Sequence, residues 1–226
     1  MSEPQRHFHE ELSQLKQRLL AVSSEAEDAV AHAVEALLAR DRDKALAVIR
    51  GDRAIDALES SIEEQGFQLI ALHQPMAKDL RLIFSAIRIV NDLERVGDHA
   101  VNIAQSAIEL IDYPHIVPEP EMVEMARLAR QMLADSLSAF VRGDSPLARE
   151  VCRRDDEVDA LNDSVYRILL THMMEDHRNI GAGMELLLVS RNLERVADLA
   201  TNVAEDVVFL VEGKTIKHHA EDGRPE

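Results

Sequence analysis

The sequence carries one cysteine, Cys152, no tryptophan and only 3% aromatic residues. A lone thiol excludes an intramolecular disulfide and a thiolate zinc site of the finger kind. Nothing speaks for an oxidising compartment, so the cytoplasm is expected. Basic charge is also scarce: 25 Lys and Arg stand against 42 Asp and Glu, a formal net charge of −17. Nucleic acid and anionic lipid both need a basic stripe to bind, which argues against either as a partner. No run approaches the roughly eighteen uninterrupted apolar residues of a membrane span, and Met1 to Phe8 has no signal-peptide core. A soluble protein is expected.

Catalytic templates are missing too. There is no Gly-rich phosphate loop followed by Lys-Ser or Lys-Thr and no Gly-x-Ser-x-Gly elbow, and Cys152 sits in an apolar helical pattern without a supporting base. These absences argue against an enzyme. No strand-like alternation is present either.

What is present is Ala, Leu, Val, Glu and Arg in abundance, the composition of helical bundles built on aliphatic seams. Apolar spacing predicts helices over about Glu10–Leu38, Lys44–Leu72, Ala77–Ile111, Glu121–Val141, a fifth opening near Pro146, and Gly181–Val211. Polar breaks fall at Arg40 to Asp43 and at Arg142-Gly143-Asp144. Tyr113 to Pro120 holds three prolines and is the strong linker signal. It places one domain at 7–113, a second at 119–213, and a polar tail with His218 and His219 at 214–226.

The halves repeat. Shifting the chain by one hundred positions lays Leu93-Glu94-Arg95-Val96 on Leu193-Glu194-Arg195-Val196, Asp98 on Asp198 and Asn102 on Asn202. A second segment matches at an offset of 103, with Asp52 and Asp56 on Asp155 and Asp159. The repeated unit is three helices long. The expected fold is all-α, two tandem antiparallel three-helix bundles related by duplication.

Glu94, Asp98 and Asn102 follow at i, i+4 and i+8, one column on a helix, as do Glu194, Asp198 and Asn202. The apolar stripe lies opposite, so the acids are expected to face away from the packing seam. Like charges at i,i+4 cost an isolated helix about 0.2–0.5 kcal/mol unless a cation intervenes. On an ordinary solvated face Arg95 and Arg191, each three residues ahead of an acid, would be that cation. Duplication of the whole column favours a ligand instead. Antiparallel pairing would set Asp52 and Asp56 across a groove from Glu94 and Asp98, and Asp155 and Asp159 across from Glu194 and Asp198. Such oxygen-only sites suit divalent or trivalent ions, Mg²⁺, Ca²⁺, Mn²⁺ or iron more than zinc alone.

A ferritin-like di-iron bundle would need Glu-x-x-His, which the sequence does not contain. His99 matches Leu199, which points to a surface or packing role rather than a ligand, and His172 and His177 are expected to be ordinary helix-end residues. Gln74 to Arg81 is a local basic cluster and a candidate docking edge. Two other classes stay open: a carboxylate-bridged storage or enzyme bundle, and a helical adaptor indifferent to metal.

Gln74-Pro75-x-Ala77-x-Asp79-Leu80-Arg81, then Leu93-Glu94-Arg95-Val96-Gly97-Asp98-His99-Ala100-x-Asn102-Ile103-Ala104, with Asn192 to Asp198 a hundred residues on, resembles the PhoU family. The resemblance runs from about Phe8 to Gly213. It implies a cytoplasmic homodimer that regulates without catalysis. Its implied partners are PstB, the ATPase subunit of the phosphate ABC transporter, and the sensor histidine kinase PhoR; uptake is restrained and the Pho regulon kept off when phosphate is plentiful. It also implies metal at the acidic motifs (Mg, Mn, Fe or Zn), here Asp52, Asp56, Glu94, Asp98, Asp155, Asp159, Glu194 and Asp198, with Asn102 and Asn202 extending them. The Gln-Pro entry has no counterpart before the sixth helix, where Arg178-Asn179-Ile180-Gly181 stands. The second half is therefore expected to bind its ligand or partner differently.

Overall fold

The computed structural model describes residues 3–113 and 118–216. Six long helices carry it: α1 (Glu3–Ala39), α2 (Arg42–His73), α3 (Ala77–Glu109), α4 (Pro120–Arg142), α5 (Ser145–Glu175) and α6 (Ile180–Glu212). Short 3₁₀ turns follow α3 at Leu110–Asp112 and precede α6 at His177–Asn179. Among the described residues there is no strand. No helix there is long and apolar enough to cross a membrane.

Duplication is written into the caps. Asp41 accepts a 3.0 Å bond from the Lys44 amide at the start of α2, and Asp144 does the same for Leu147 at the start of α5. Each such cap contributes about 1 kcal/mol. The residue before each aspartate, Arg40 or Gly143, closes the preceding helix in the left-handed conformation.

Two expected boundaries move. α1 begins at Glu3 rather than Glu10, because Phe8 packs on the core and stacks 4.9 Å from His73, giving the extra turns something to bury against. The break before α2 narrows, since Asp41 already caps the helix. The linker residues 114–117 and the tail from 217 on, including His218 and His219, lie outside the described residues.

In the first half α3 packs against α1 and α2; in the second α6 packs against α4 and α5; α3 and α6 then pack on each other. They run antiparallel, for the Ser85 hydroxyl meets the Asp206 carbonyl at 3.5 Å while His99 meets Asn192 at 2.9 Å. Leu93, Val96 and Ala100 on α3, and Leu193, Val196 and Ala200 on α6, are fully buried along this spine. Full burial of a side chain the size of Leu or Val stabilises by about 1.5–3 kcal/mol. Each spine helix therefore has packed neighbours on several sides, and its acidic column has only a narrow strip of surface left.

Candidate functional site

That strip faces a neighbour. In the first half the column borders α2, where Asp52 and Asp56 look across at Glu94 and Asp98. The helices approach closely because position 97 is glycine: a Cβ there would lie 3.0 Å from Ile55 Cδ1 and 3.2 Å from Asp52 Oδ1. The acids thus edge a groove between helices, with Asp52 and Glu94 partly buried and Asp56 and Asp98 exposed at its rim. A single-seam reading of α3 fails because α3 has several packed neighbours.

The electrostatics follow from this crowding. Partial burial, then repulsion from Asp98, Glu59, Asp56 and Asp52, pushes the Glu94 carboxyl up to about 7. Asp52 is raised by burial, then by Asp56 and Asp98. Glu59 joins them, raised by burial and by Glu63 and Asp56, while accepting a 3.3 Å bond from the Asn91 amide. Its repeat counterpart is Asn162, so comparing the halves passes over it, although it lies one and two turns beyond Asp56 and Asp52 on the same helix. Arg95 gives no relief to the column: it pairs with Asp92 at 3.4 Å.

The second groove repeats the layout with different compensation. Burial, then Asp198 and Asp159, pushes Asp155 up to about 6. Asp159 and Glu194 are raised by burial and by Asp198, but Arg195 pulls both down. Arg195 also pairs directly with Asp198 at 2.7 Å. The cation paired in this column is Arg195, one turn from the expected Arg191, which lowers Glu194 less than Arg195 does.

Asp52, Glu59, Glu94, Asp155, Asp159 and Glu194 are all shifted against the charged carboxylate, so each groove gains by taking up a cation or a proton. Oxygen-only donors fit a hard cation. Among the described residues no three carboxylate, imidazole or thiol groups converge tightly enough to enclose one. The grooves are open rows whose acids could anchor an ion while water or a partner completed its shell.

Asn102 is engaged away from the acids. Asn102 donates to Asn192 of α6 at 3.3 Å, and His99 shares the same acceptor, so both serve the spine. Asn202 is half-buried two turns beyond Glu194. His172 is more than a helix-end residue: it ties α5 to Glu119 at 2.9 Å, just as His73 ties α2 to Glu11 at 2.9 Å. In the candidate docking edge Gln74 and Ala77 flank Pro75 with φ of 47° and 49°, Met76 is 81% exposed, and Arg81 is spent on the Leu210 carbonyl at 3.4 Å.

A family model described as "PhoU domain" matches residues 19–107 and again 122–207. A "Phosphate-specific transport system accessory protein PhoU homolog" of Aquifex aeolicus is 41% identical over 208 residues, spanning 92% of this chain and 94% of that protein. A protein of the same description from Clostridium acetobutylicum is 39% identical over 210 residues, spanning 92% and 96%. The crystal structure of PhoU from Pseudomonas aeruginosa superposes with a TM-score of 0.88 at 37% identity, covering 92% of this chain and all of that one.

Proposed function

The chain belongs to the PhoU family, and from that premise we propose that it regulates phosphate uptake as a non-catalytic accessory of the phosphate transport system. In the finer reading it is a cytoplasmic homodimer that docks on the transporter's ATPase subunit PstB and on the sensor kinase PhoR. Docking restrains uptake and keeps the Pho regulon off when phosphate is plentiful. The observation that carries this reading is the likeness to accessory proteins of that system across 92% of the chain in both halves.

Divalent metal at the grooves is part of the proposal. Asp52, Asp56, Glu94 and Asp98 would hold it in the first half, and Asp155, Asp159, Glu194 and Asp198 in the second. A bound cation supplies charge neutralisation, letting acidic surfaces of partner and groove share one ion. The chain's own residues do the rest: Gly97 lets α2 close on α3, and Arg195 sets a weaker demand for cation in the second groove. The metal-indifferent adaptor stays in view because the Arg195–Asp198 pair already offsets part of that groove's charge.

The test is binding of the purified chain to the transporter's ATPase subunit, with Mn²⁺ or Mg²⁺ present and again after chelation. Saturable binding that falls on chelation supports both the regulator and the metal. Binding untouched by chelation keeps the regulator and removes the metal from its mechanism. Absence of binding in both conditions would leave the kinase as the remaining partner and overturn the transporter half of the reading.

A further inference from the structure

At one end of the spine, four helices from both halves surround a cleft. Its floor is Leu82, Phe140 and Leu210, buried apolar side chains. Its walls carry Lys16 from α1, Lys78 from the first turn of α3 and Arg142 from the last turn of α4. Asp79 is the single carboxylate on the lining. Among the described residues none of the three cations forms an ion pair. What sets the cleft apart is that the three cations stand together around an apolar floor with one carboxylate beside them, on a chain of net charge −17.

The duplicated half shows what this junction looks like when filled. Arg40 and Gly143 occupy equivalent places, each closing its helix with positive φ, 53° and 65°, just before the capping aspartate. Arg40 swings its guanidinium across the far junction and donates to the carbonyls of Leu110, Ile111 and Tyr113 at 2.6, 3.0 and 3.1 Å. Gly143 has no side chain to do this; a Cβ there would meet only Val211 Cγ2, at 3.8 Å. The carbonyl of Leu210, counterpart of Leu110, is instead reached by Arg81. Arg142 is therefore not needed to cap α6. Lys78 differs in the same way, for its counterpart Arg178 is clamped on Asp176 at 2.7 Å. One junction is closed by its own arginine, and the other is left open with its cations unspent.

We propose that this inter-repeat cleft binds an organic anion, a phosphate or carboxylate head carrying an apolar body. The head would sit among Lys16, Lys78 and Arg142, and the body would cover the Leu82, Phe140 and Leu210 floor. Because α1, α3, α4 and α6 all line it, the occupant would bridge the two halves. This inference is independent of the acidic grooves and of metal.

The probe is 1-anilinonaphthalene-8-sulfonate, an anionic head on an aromatic body, titrated by fluorescence against the full chain. The expected result is saturable binding at one site that weakens at least tenfold in Lys78→Glu with Arg142→Glu. Gly143→Arg should weaken it equally by filling the cleft as Arg40 fills its own junction, whereas an effect of overall charge alone would strengthen anion binding. Arg40 shows that this backbone conformation accepts arginine, so Gly143→Arg decides the matter if the double variant does not fold. Met174→Ser, at an exposed apolar residue elsewhere, should bind as the wild type does. Octyl phosphate displacing the dye assigns a free ligand, and displacement only by phosphatidylglycerol vesicles assigns a lipid headgroup. Failure of both to displace it, or Gly143→Arg affinity within twofold of wild type, overturns the proposal.

Discussion

Arg88 on α3 and Asp206 on α6 meet at 2.7 Å across the junction of the two halves, with the aspartate side chain 1% exposed. Arg88 is 29% exposed and also approaches the face of Phe84, 6.0 Å from its centroid. Removing the guanidinium takes a counter-charge from a buried carboxylate, whereas removing the acid leaves an arginine that reaches water. Arg88→Met should therefore destabilise by about 3 kcal/mol and Asp206→Asn by clearly less. Urea unfolding of both variants checks the order; equal losses would contradict it.

The Glu94 carboxyl stands at about 7 against an ordinary 4.5. Between those values the folded protein holds a proton that the unfolded chain has released, so stability is greater at the acid end and falls as pH rises through the window. Asp155, at about 6 against 3.8, acts in the same direction slightly lower. The melting temperature of the metal-free protein should fall from about pH 5 to about pH 8. Glu94→Gln should flatten the upper part of that slope, and a slope unchanged by the substitution would show that the groove is not its source.

Glu94→Ala with Asp98→Ala should lower bound Mn²⁺ in the first half without altering helix content, because both side chains lie outside the buried spine. Asp155→Ala with Asp198→Ala should do so more weakly, given Arg195 in that groove. Equilibrium dialysis with metal analysis reads this directly. Unchanged stoichiometry in the first variant would remove metal from the grooves.

Gly97→Val should cost about 1–3 kcal/mol by overpacking α2 against α3. It would also drive Ile55 and Asp52 apart from the column, since a Cβ alone already lies 3.0 and 3.2 Å from them. Ala197 at the equivalent place predicts that the same bulk is better borne in the second half. Thermal melts of Gly97→Val and Ala197→Val compare the two grooves.

Much of this was legible in the chain because duplication supplies its own control. Helix number and the acidic pairs could be read by laying one half on the other, whereas Asp41 and Asp144 read as polar breaks and turn out to be caps. That comparison is blind where the halves differ. Glu59 stands opposite Asn162, Gly143 opposite Arg40, and Lys78 opposite an arginine tied to its own aspartate. Nor does a helical wheel disclose how many neighbours a helix will have. α3 is crowded on several sides, so Glu94 is partly buried beside α2 while Asp98 stays exposed, and Arg95 turns to Asp92.

The antiparallel spine has one more consequence. Two copies of a single three-helix unit, joined through their third helices, would form a contact with the same residues on both sides. The present chain retains that layout but has broken its self-complementarity: one hundred positions from Arg88 and Asp206 stand Leu188 and Ser106. A pair made of two first halves would set Arg88 against Ser106. A pair of two second halves would bury Asp206 beside Leu188 in place of Arg88. Each half has thus become the other's required mate, and the ion pair between them selects the unlike pairing over either like one.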